Sequence, residues 1–462
     1  MSPSPLPVPN STISFWRSTP SSLDDYRSTP EVPAEVDIAV IGAGFAGIST
    51  IYHVLNLCKA RGIPPPKILI LEARQACSGA TGRNGGHLKP DPYNRPSGLA
   101  VTHGADIAAE CAAFESRNLS AVKKTIEDEG IDCDFVLTRA VDALMSDAIC
   151  DKMKGKFDTA RSTDSSVIGD LYFTKGTEAE KLSGVKGAKG YVSYSAGHLF
   201  PYKLIIGLLS KVLDAGVNLQ THTAVTEVAG KPDDNGYVTL TTTRGLVRAK
   251  TVLHAMNGYT SSLLPEFADK IVPARGICAH IKPRNPPARF LTNSYMIRWS
   301  EAQYEYLIPR LDGSIVVGGA RSEYYQDLQI WYNNVNDDKL IESAKSYFDG
   351  YMQRVFHGWE DSGAYTSSMW TGIMGYSSDG MPHLGAVPGR QNQFIVAGFT
   401  GHGMPQIFLS AKGIASMMID KVDFESTGIP KIYKATQARL DTPNNSILEA
   451  WEESQSGRQS KL

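Results

Sequence analysis

A short segment near the N-terminus, residues 36–73, constrains the fold of this chain more than any other part. Its apolar, β-branched run "VDIAVI" predicts a strand, and the apolar residues after Gly44 recur at the spacing of a helix. The run "KILILEA", Lys67 to Ala73, predicts a second buried strand. Strand, glycine turn, helix and strand together form a βαβ unit.

The turn between the first strand and the helix carries three glycines, Gly42, Gly44 and Gly47, in the pattern G-x-G-x-x-G. One glycine permits a tight turn, one lets a pyrophosphate approach the backbone, and one lets helix and strand pack closely. The N–H groups that begin the helix favour negative phosphates. Glu72, at the tip of the next strand, can accept hydrogen bonds from a ribose. The segment predicts a dinucleotide site, with a tight turn that binds no ligand as the alternative.

Two further glycine-rich stretches help to choose the dinucleotide. The stretch "GATGRNGGHLKP", Gly79 to Pro90, follows the second strand, and "VAGFTGHGM" lies near the C-terminus. Because glycine has no side chain to bury, such stretches let backbone amides approach a flat or charged ligand. A nicotinamide cofactor needs one nucleotide-binding unit, whereas a flavin coenzyme is longer and its ring is held inside the protein. The extra stretches therefore favour a flavin.

Charge and composition exclude several function classes. With 46 basic and 48 acidic side chains the formal net charge is −2, so we expect no nucleic-acid partner and no anionic membrane partner. The apolar runs of the sequence fall short of the roughly 18 residues that a membrane span needs. The six cysteines form no C-x-x-C pair and share no zinc-binding spacing with histidine. We therefore expect reduced thiols and no metal site.

The remaining patterns predict alternating strands and helices. Helical spacing predicts a helix over 105–129 and another that starts at "PYKLI", while Asp312-Gly313 between two strand-like runs predicts a hairpin. The charged segment 337–356 also fits a helix. The proline- and serine-rich N-terminus predicts an extended, loosely held arm, and the polar chain beyond Asp420 predicts a surface tail.

Six segments in order along the chain resemble the landmarks of the D-amino-acid oxidase-like flavoprotein superfamily. They are "DIAVIGAGFAG", "EARQACSGATGRNGGH", "VTEV", "VPARG", "LIPRLDGSIVVGG" and "VAGFTGHGM". The superfamily includes glycine, sarcosine and pipecolate oxidases, fructosyl amino-acid oxidases and γ-glutamylputrescine oxidase. The form "GRNGGH" is most similar to the last of these and to many fungal FAD-dependent oxidoreductases.

The resemblance implies an α/β fold: a Rossmann-type FAD-binding domain interleaved with an α+β substrate domain built on a mostly antiparallel sheet. We expect residues 31–100, 190–275 and 365–440 to form the FAD-binding domain. Residues 101–189 and 276–364 then form the substrate domain. Residues 1–30 are the N-terminal arm and residues 441–462 the C-terminal tail.

The resemblance also implies where FAD binds. The loop from Thr81 to Leu88 should run beside the isoalloxazine ring and the pyrophosphate, with Arg83 and Asn84 contacting the cofactor or carrying the loop. The backbone of Val225 should meet the adenine, and the turn after Gly398 should follow the ring and the ribityl chain. The complete predicted set is Gly42, Ala43, Gly44, Phe45, Ala46, Gly47, Glu72, Ala73, Arg74, Gly79, Ala80, Thr81, Gly82, Arg83, Asn84, Gly85, Gly86, His87, Leu88, Val225, Asn257, Gly258, Gly398, Phe399, Thr400, Gly401, His402, Gly403 and Met404.

We expect FAD to be bound non-covalently. Sarcosine-type oxidases attach it through a cysteine shortly before a Pro-Asp pair, and the corresponding "WTGIMGYSSDG" contains no cysteine. Cys77 and His87 are less favoured tethers. These enzymes also clamp the substrate carboxylate with a lysine whose place is taken here by Pro405. The substrate is therefore expected to be an amine, or an acid held by another cation such as Arg310.

Five side chains are the candidates for contact with substrate or the flavin ring. His402 is predicted either to polarise the flavin or oxygen, or simply to cap its turn. For His87 the functional alternative is contact with the substrate or the flavin. Tyr306 and Trp370 are predicted wall residues, with ordinary core aromatics as the alternative. Arg310 completes the set. His383, by contrast, is expected to be structural.

The chemistry expected of such a site is oxidation of an amine or an N-substituted amino acid. Hydride leaves the carbon that bears nitrogen, the imine product hydrolyses, and molecular oxygen is reduced to hydrogen peroxide. One alternative is a dehydrogenase that uses a different electron acceptor. Another is a flavin-binding protein without catalytic activity. A monooxygenase is disfavoured because the C-terminal glycine turn lacks a G-D-A-type motif.

The last three residues predict a location. Ser460-Lys461-Leu462 has the form of the peroxisomal import signal. We expect a peroxisomal matrix protein, with the import receptor as a partner.

Overall fold

The computed structural model describes residues 5–163 and 169–459, which contain two β-sheets and eleven α-helices. The first sheet has a parallel core in the order β16-β17-β10-β1-β2-β7, where only β16 runs antiparallel to its neighbour. The antiparallel pair β8–β9 extends it from β10. Its strands are β1 (Glu35–Ile41), β2 (Ile68–Leu71), β7 (Asn218–Gln220), β8 (Val225–Val228), β9 (Val238–Thr242), β10 (Gly245–His254), β16 (His383–Ala386) and β17 (Gln393–Ala397).

The second sheet is mostly antiparallel. It has the order β15-β11-β14-β13-β12-β4-β6-β3, with β5 paired to β6, and β12–β4 is its parallel pair. Its strands are β3 (His87–Leu88), β4 (Val136–Leu144), β5 (Tyr172–Lys175), β6 (Gly190–His198), β11 (Ile271–Lys282), β12 (Ser294–Arg298), β13 (Tyr304–Pro309), β14 (Ile315–Gly318) and β15 (Tyr365–Ser377).

Helices cover the faces of both sheets. The eleven are α1 (Phe45–Arg61), α2 (Asn94–His103), α3 (Ala105–Glu129), α4 (Asp147–Thr163), α5 (Thr177–Ser183), α6 (Pro201–Asp214), α7 (Leu328–Trp331), α8 (Tyr351–Val355), α9 (Ile407–Asp420), α10 (Gln437–Asp441) and α11 (Ser446–Gln459). No helix in the described ranges is both long and apolar enough to cross a bilayer.

The first helix explains why the βαβ unit is rigid. Ile48, Ile51 and Val54 of α1 are fully buried, because α1 packs against both α6 and α9 as well as the first sheet. Burial of side chains of this size stabilises a fold by about 1.5–3 kcal/mol each. The glycine turn that precedes α1 is therefore held in place by the largest apolar core of the molecule.

Several sequence predictions are confirmed. The α/β class and the Rossmann-type parallel sheet are present, α1 and α3 match their predicted segments, and Asp312-Gly313 joins β13 to β14. The domain boundaries stay a prediction. Strands β6 and β15, which that prediction assigns to the FAD-binding domain, lie in the second sheet.

The helix predicted over residues 337–356 is wrong. Only Glu342–Ala344 and Tyr351–Val355 are helical, and Gly350, just before the second, has a left-handed φ of 62° that a continuous helix cannot contain. At the start of the segment, the Asp337 carbonyl oxygen accepts a 2.7 Å hydrogen bond from the Thr12 N–H and not from a residue of a helix.

The two chain termini are also packed more closely than expected. Trp16 in the N-terminal arm is fully buried, and the tail beyond Asp420 ends in α11, whose Ile447 is buried. Neither segment had local periodicity strong enough to predict this. The import signal, Ser460 to Leu462, lies outside the described residues.

Candidate functional site

The first glycine turn has the shape that a pyrophosphate requires. A Cβ added at Gly47 would lie 2.1 Å from the Gly42 carbonyl oxygen, so α1 can approach the turn only with glycine there. At Gly44 the nearest atom to an added Cβ would be Thr81 Oγ1 at 3.4 Å, which leaves the space in front of α1 open. The N–H groups of a helix start face this space, where they favour negative charge. The residues present therefore fit a dinucleotide.

Glu72 holds the same turn. One of its carboxylate oxygens accepts the Ala43 N–H at 2.9 Å and the other accepts the Arg74 N–H at 3.0 Å. A carboxylate has further lone pairs, so Glu72 remains able to accept from a ribose. The Arg74 side chain is directed elsewhere: its guanidinium forms two hydrogen bonds with the Asp337 carboxylate, at 2.9 and 3.0 Å.

The second glycine-rich loop is held from behind by three side chains. Ser14 Oγ donates to the Gly82 carbonyl oxygen at 2.6 Å, and the indole N–H groups of Trp16 and Trp370 donate to the carbonyl oxygens of Asn84 and Arg83 at 2.6 and 2.7 Å. Two of these donors belong to the N-terminal arm. The arm is therefore a structural part of the predicted cofactor site.

Arg83 carries the loop through its side chain. Its guanidinium donates to the Thr371 carbonyl oxygen at 2.6 Å, to the Thr12 carbonyl oxygen at 2.5 Å and to Ser11 Oγ at 3.1 Å. Burial lowers the pKa of Arg83 to about 10, which leaves the group charged at neutral pH. Of the two predicted roles, the geometry supports the one in which Arg83 carries the loop.

The third glycine-rich turn is joined to the first sheet by Asn257. The Asn257 side-chain oxygen accepts the N–H groups of Gly398 and Phe399 at 3.0 and 3.4 Å. In the same turn, His402 Nε2 lies 2.9 Å from a carboxylate oxygen of Glu115, a residue of α3. Glu115 is one functional contact that the sequence analysis missed, because one acid among several on an amphipathic helix gives no local signal.

One large cavity connects these elements. Its volume is about 1400 Å³, more than the roughly 300–1,000 Å³ of a typical small-molecule pocket, so there is room for a cofactor and a substrate. The structure brings the following predicted residues to its wall: Ala80, Thr81, Arg83, Asn84, Gly85, His87, Asn257, Tyr306, Phe399, Thr400, Gly401, His402, Gly403 and Met404.

Other predicted residues are not among those that line the cavity in the described chain. For most of them, cofactor contact stays a prediction: Gly42, Ala43, Gly44, Phe45, Ala46, Gly47, Glu72, Ala73, Arg74, Gly79, Gly82, Gly86, Leu88, Val225, Gly258 and Gly398. The first turn adjoins the cavity through Thr81, whose Oγ1 accepts the Phe45 N–H at 3.1 Å.

The geometry does not favour substrate contact by Arg310 or Trp370. Arg310 pairs with the Asp134 carboxylate, and its guanidinium lies 5.2 Å from the centre of the Trp16 ring. Trp370 is fully buried behind the loop. Neither residue is among those lining the cavity in the described ranges. Both act on the site through the residues that they hold.

Tyr306 and His87 form one wall next to the glycine loop. A Cβ at Gly85 would meet the Tyr306 ring at 2.6 Å, and the two rings of His87 and Tyr306 pack edge to face at 5.6 Å. Burial lowers the pKa of His87 to about 3, so this imidazole is neutral at physiological pH.

The far end of the cavity contains a cation that the sequence analysis missed. Arg321 follows β14, and its guanidinium carbon lies 4.4, 5.7 and 5.9 Å from the ring centres of Tyr325, Tyr304 and Trp331. The sequence contained a signal for this residue. Strand β13 starts at Tyr304, which lines the cavity. In an antiparallel hairpin the start of β13 lies beside the end of β14, and Arg321 follows that end. Arg310 lies at the opposite, turn end of the hairpin.

The cysteines offer no easy attachment point for FAD. All six are buried and unpaired. Cys278 lines the cavity, but burial raises the pKa of its thiol to about 11, which keeps it protonated. Burial also raises the pKa of Cys77. In the described ranges no three of His, Cys, Asp and Glu cluster so that they could hold a metal ion.

A scan against protein-family models decides the family. Residues 37–417 match the DAO family, described as FAD dependent oxidoreductase. This chain belongs to that family. It is accordingly an FAD-dependent oxidoreductase, and the predicted cofactor, FAD in non-covalent form, agrees with the family.

Individual DAO-family relatives are distant. The γ-glutamylputrescine oxidoreductase of Escherichia coli is 21% identical over 389 residues, which are 83% of each chain. The solved structure of glycine oxidase from Geobacillus kaustophilus has a TM-score of 0.69 at 18% identity and covers 88% of this chain and 99% of its own. That of L-proline dehydrogenase from P. horikoshii has a TM-score of 0.65 at 17% identity and covers 87% and 98%. At these identities the structures show a shared fold.

Proposed function

We propose that this enzyme oxidises an amine or an N-substituted amino acid at the carbon that bears nitrogen, with molecular oxygen as the electron acceptor. The observation that carries the proposal is the cavity whose wall includes both predicted cofactor-binding loops and an aromatic, cation-rich end of the second sheet. The family supplies the cofactor, and the names of several relatives refer to amino acids or to an amine.

The charge of the cavity suits such a substrate. Its wall has three carboxylate residues, Asp91, Glu301 and Glu453, against seven cationic residues, Arg83, Lys89, Arg95, Lys152, Arg275, Arg298 and Arg321. Part of this charge is neutralised, because Lys89 and Arg298 pair with Asp142 and Lys152 pairs with Glu301. The positive charge that remains disfavours an ammonium group, and oxidation needs the neutral amine, whose nitrogen lone pair is available. When bound, FAD supplies the hydride acceptor.

His402 is positioned by the protein for a role near this reaction. The Glu115 carboxylate that binds His402 Nε2 also accepts the Gln406 side-chain amide at 2.7 Å, so the carboxylate is itself oriented. Glu115 is buried, and a fixed carboxylate of this kind sets the tautomer and the direction of an imidazole. His402 thereby presents a defined face to the cavity that it lines.

A dehydrogenase with another acceptor is the second candidate. It has one specific support, the similarity in fold to L-proline dehydrogenase. The test is to mix the yellow holoenzyme without oxygen with a panel of amines and amino acids, then admit air. If the enzyme is an oxidase, at least one compound of the panel should bleach the flavin. Air should then restore the colour, with one molecule of hydrogen peroxide formed for each molecule of oxygen consumed. Bleaching with no recovery in air would support the dehydrogenase, and no bleaching by any member would support a catalytically inactive flavoprotein.

We also propose that the enzyme works in the peroxisomal matrix. The support is the terminal Ser460-Lys461-Leu462, together with the expected peroxide product, which catalase in that organelle removes. A fluorescent protein fused to the N-terminus should appear in peroxisomes. The same fusion with Leu462→Asp should stay outside them, and identical distribution of the two fusions would contradict the proposal.

A further inference from the structure

Arg321 is placed in the cavity by a turn with unusual backbone geometry. Gly319 has a φ of +135° and Ala320 a left-handed φ of 53°. A Cβ at Gly319 would lie 2.8 Å from the Tyr304 carbonyl oxygen, so the chain passes directly beneath the start of β13. The turn carries the Arg321 side chain back toward the second sheet, where it enters the aromatic cage formed by Tyr304, Tyr325 and Trp331.

The C-terminal helix closes this aromatic cage. The indole N–H of Trp451 in α11 donates to the Tyr325 carbonyl oxygen at 3.0 Å, and Ile447 and Ala450 of the same helix line the cavity. Tyr376 connects the cage to the cofactor end. Its ring centre is 6.5 Å from that of Trp331, and a Cβ at Gly401 would lie 3.5 Å from its ring. Tyr376 thus lies between the aromatic cage of Arg321 and the turn that is predicted to follow the flavin.

Arg321 differs from the other cations of the cavity wall because its hydrogen-bonding capacity is unused. Each of the other six donates to an acceptor of the protein: Arg83 to Thr371, Lys89 and Arg298 to Asp142, Arg95 to Gly380, Lys152 to Glu301, and Arg275 to Lys339. In the part of the chain that the structure describes, the Arg321 guanidinium has only ring contacts.

Those ring contacts leave the N–H groups available. A guanidinium is planar, and when it stacks on aromatic rings its N–H groups point outward in the plane. Burial opposes the charge of Arg321, but the phenol groups of Tyr376 and Tyr304 raise its pKa above the ordinary value. A charged, partly buried guanidinium with free in-plane donors is a receptor for a planar oxyanion, which it can bind through two parallel hydrogen bonds.

We propose that Arg321 is the specificity-determining residue that binds a carboxylate of the substrate, between the β13–β14 hairpin and helix α11. The proposal rests on the proposed function, since it names the substrate class of the same cavity: an amine that also carries a carboxylate. It explains how an acid is held although Pro405 stands where sarcosine-type oxidases have a lysine, and it replaces Arg310 as the predicted anchor.

The first experiment needs no substrate. Holoenzyme is titrated with sodium acetate at constant ionic strength, and binding is followed by tryptophan fluorescence, since Trp331 lies in the cage and Trp451 bonds to it. We expect saturable binding that Arg321→Gln weakens about tenfold or more, because the variant loses charge-assisted hydrogen bonds to the carboxylate. Arg321→Lys should give intermediate affinity, since it keeps the charge and loses the planar fork.

Arg284→Gln is the matched control. Arg284 is exposed, its guanidinium lies 4.6 Å from the ring centre of Tyr365, and it is not one of the cavity-lining residues of the described chain. This variant should bind acetate as the unaltered enzyme does. Flavin absorbance and melting temperature establish that each variant is folded and loaded. Equal acetate affinity in the Arg321→Gln variant and the unaltered enzyme would overturn the proposal.

The second experiment tests the substrate itself. An amine that bleaches the flavin is compared with a partner in which a primary amide replaces the carboxylate. Arg321→Gln should lower kcat/KM for the acid at least about tenfold and leave that for the amide almost unchanged. An equal loss for both overturns the carboxylate assignment, while amine oxidation itself stands. Absence of bleaching by any amine instead refutes the proposed function, and the acetate titration still decides the role of Arg321.

Discussion

The indole N–H of Trp370 donates a 2.7 Å hydrogen bond to the Arg83 carbonyl oxygen, so strand β15 holds the glycine-rich loop directly. Both groups are buried. Trp370→Phe should leave the carbonyl unpaired, which costs about 1–3 kcal/mol. We expect a lower melting temperature and partial loss of FAD that excess FAD restores. Full flavin content with an unchanged melting temperature would show that this bond does not hold the loop.

The N-terminal arm should contribute to flavin retention. Ser14→Ala removes the 2.6 Å hydrogen bond to the Gly82 carbonyl oxygen, at a site where Ser14 is fully buried. Ser18→Ala is the control, because the Ser18 hydroxyl bonds only to the exposed Phe15 carbonyl three residues away. The dissociation constant of FAD, measured by fluorescence on dilution, should be about fivefold or more higher in Ser14→Ala than in the unaltered enzyme. Equal constants in the two variants would contradict a role for the arm.

Gly44→Val should separate cofactor binding from folding. Gly44 has an extended backbone with φ −95°, and an added Cβ meets no protein atom closer than 3.4 Å. The protein should therefore fold with a circular dichroism spectrum like that of the unaltered enzyme. The added methyl groups occupy the space predicted for the pyrophosphate, so the purified protein should be colourless. A yellow, fully loaded variant would refute the assignment of this turn.

Gly85→Ala should disturb the wall between loop and substrate. Its Cβ would lie 2.6 Å from the Tyr306 ring, and that ring is also confined by Gly318. Because overpacking of a closed site costs about 1–3 kcal/mol, we expect reduced flavin content and altered flavin absorbance. Gly79→Ala is the matched control in the same loop, since no atom lies within 4 Å of its added Cβ. It should retain the unaltered spectrum.

Stability should fall on the acid side of neutrality because buried histidines cannot take up protons. Burial lowers the pKa of His254 to about 4, while His254 Nε2 lies 2.9 Å from the Gln393 side-chain oxygen. In the unfolded chain the imidazole protonates near 6.5, so the stability that neutral His254 contributes is present above that pH. It is lost as the pH falls from about 6.5 to 4.

The size of this effect can be measured with a variant. Between pH 7 and pH 5 His254 should account for about 2 kcal/mol of the lost free energy of unfolding. His254→Gln should therefore show a decrease smaller by that amount in urea unfolding at the two pH values. His222→Gln is the control, because His222 is exposed beside Asp25. An equal pH dependence in all three proteins would contradict the linkage.

Local patterns predicted the elements whose signals are contained in short stretches of chain. The segment from Val36 to Glu72 was predicted as strand, turn, helix and strand because periodicity, glycines and a terminal acid all agree within one unit. The same applies to α3 and to the hairpin at Asp312-Gly313. The DAO-type fold and FAD followed from the resemblance of six ordered segments to that family.

Contacts between distant parts of the chain could not be predicted from local patterns. Arg83 bonds to Thr12 and Thr371, 71 and 288 residues away, so no local pattern could show that its side chain faces the arm and β15. His402 and Glu115 are likewise 287 residues apart. Arg321 was missed although Arg310 was chosen on the same hairpin, since the choice between them depends on which end of the hairpin faces the cavity.

The arm and α11 have a consequence for biosynthesis. Ser14 and Trp16 support one wall of the cavity, and Ile447 and Ala450 supply another at the far end of the chain. A ribosome must therefore release almost the entire polypeptide before this pocket has all its sides. Completion of the pocket is then a late, post-translational event, and a nascent chain halted before α11 would have a cavity that is open at that end.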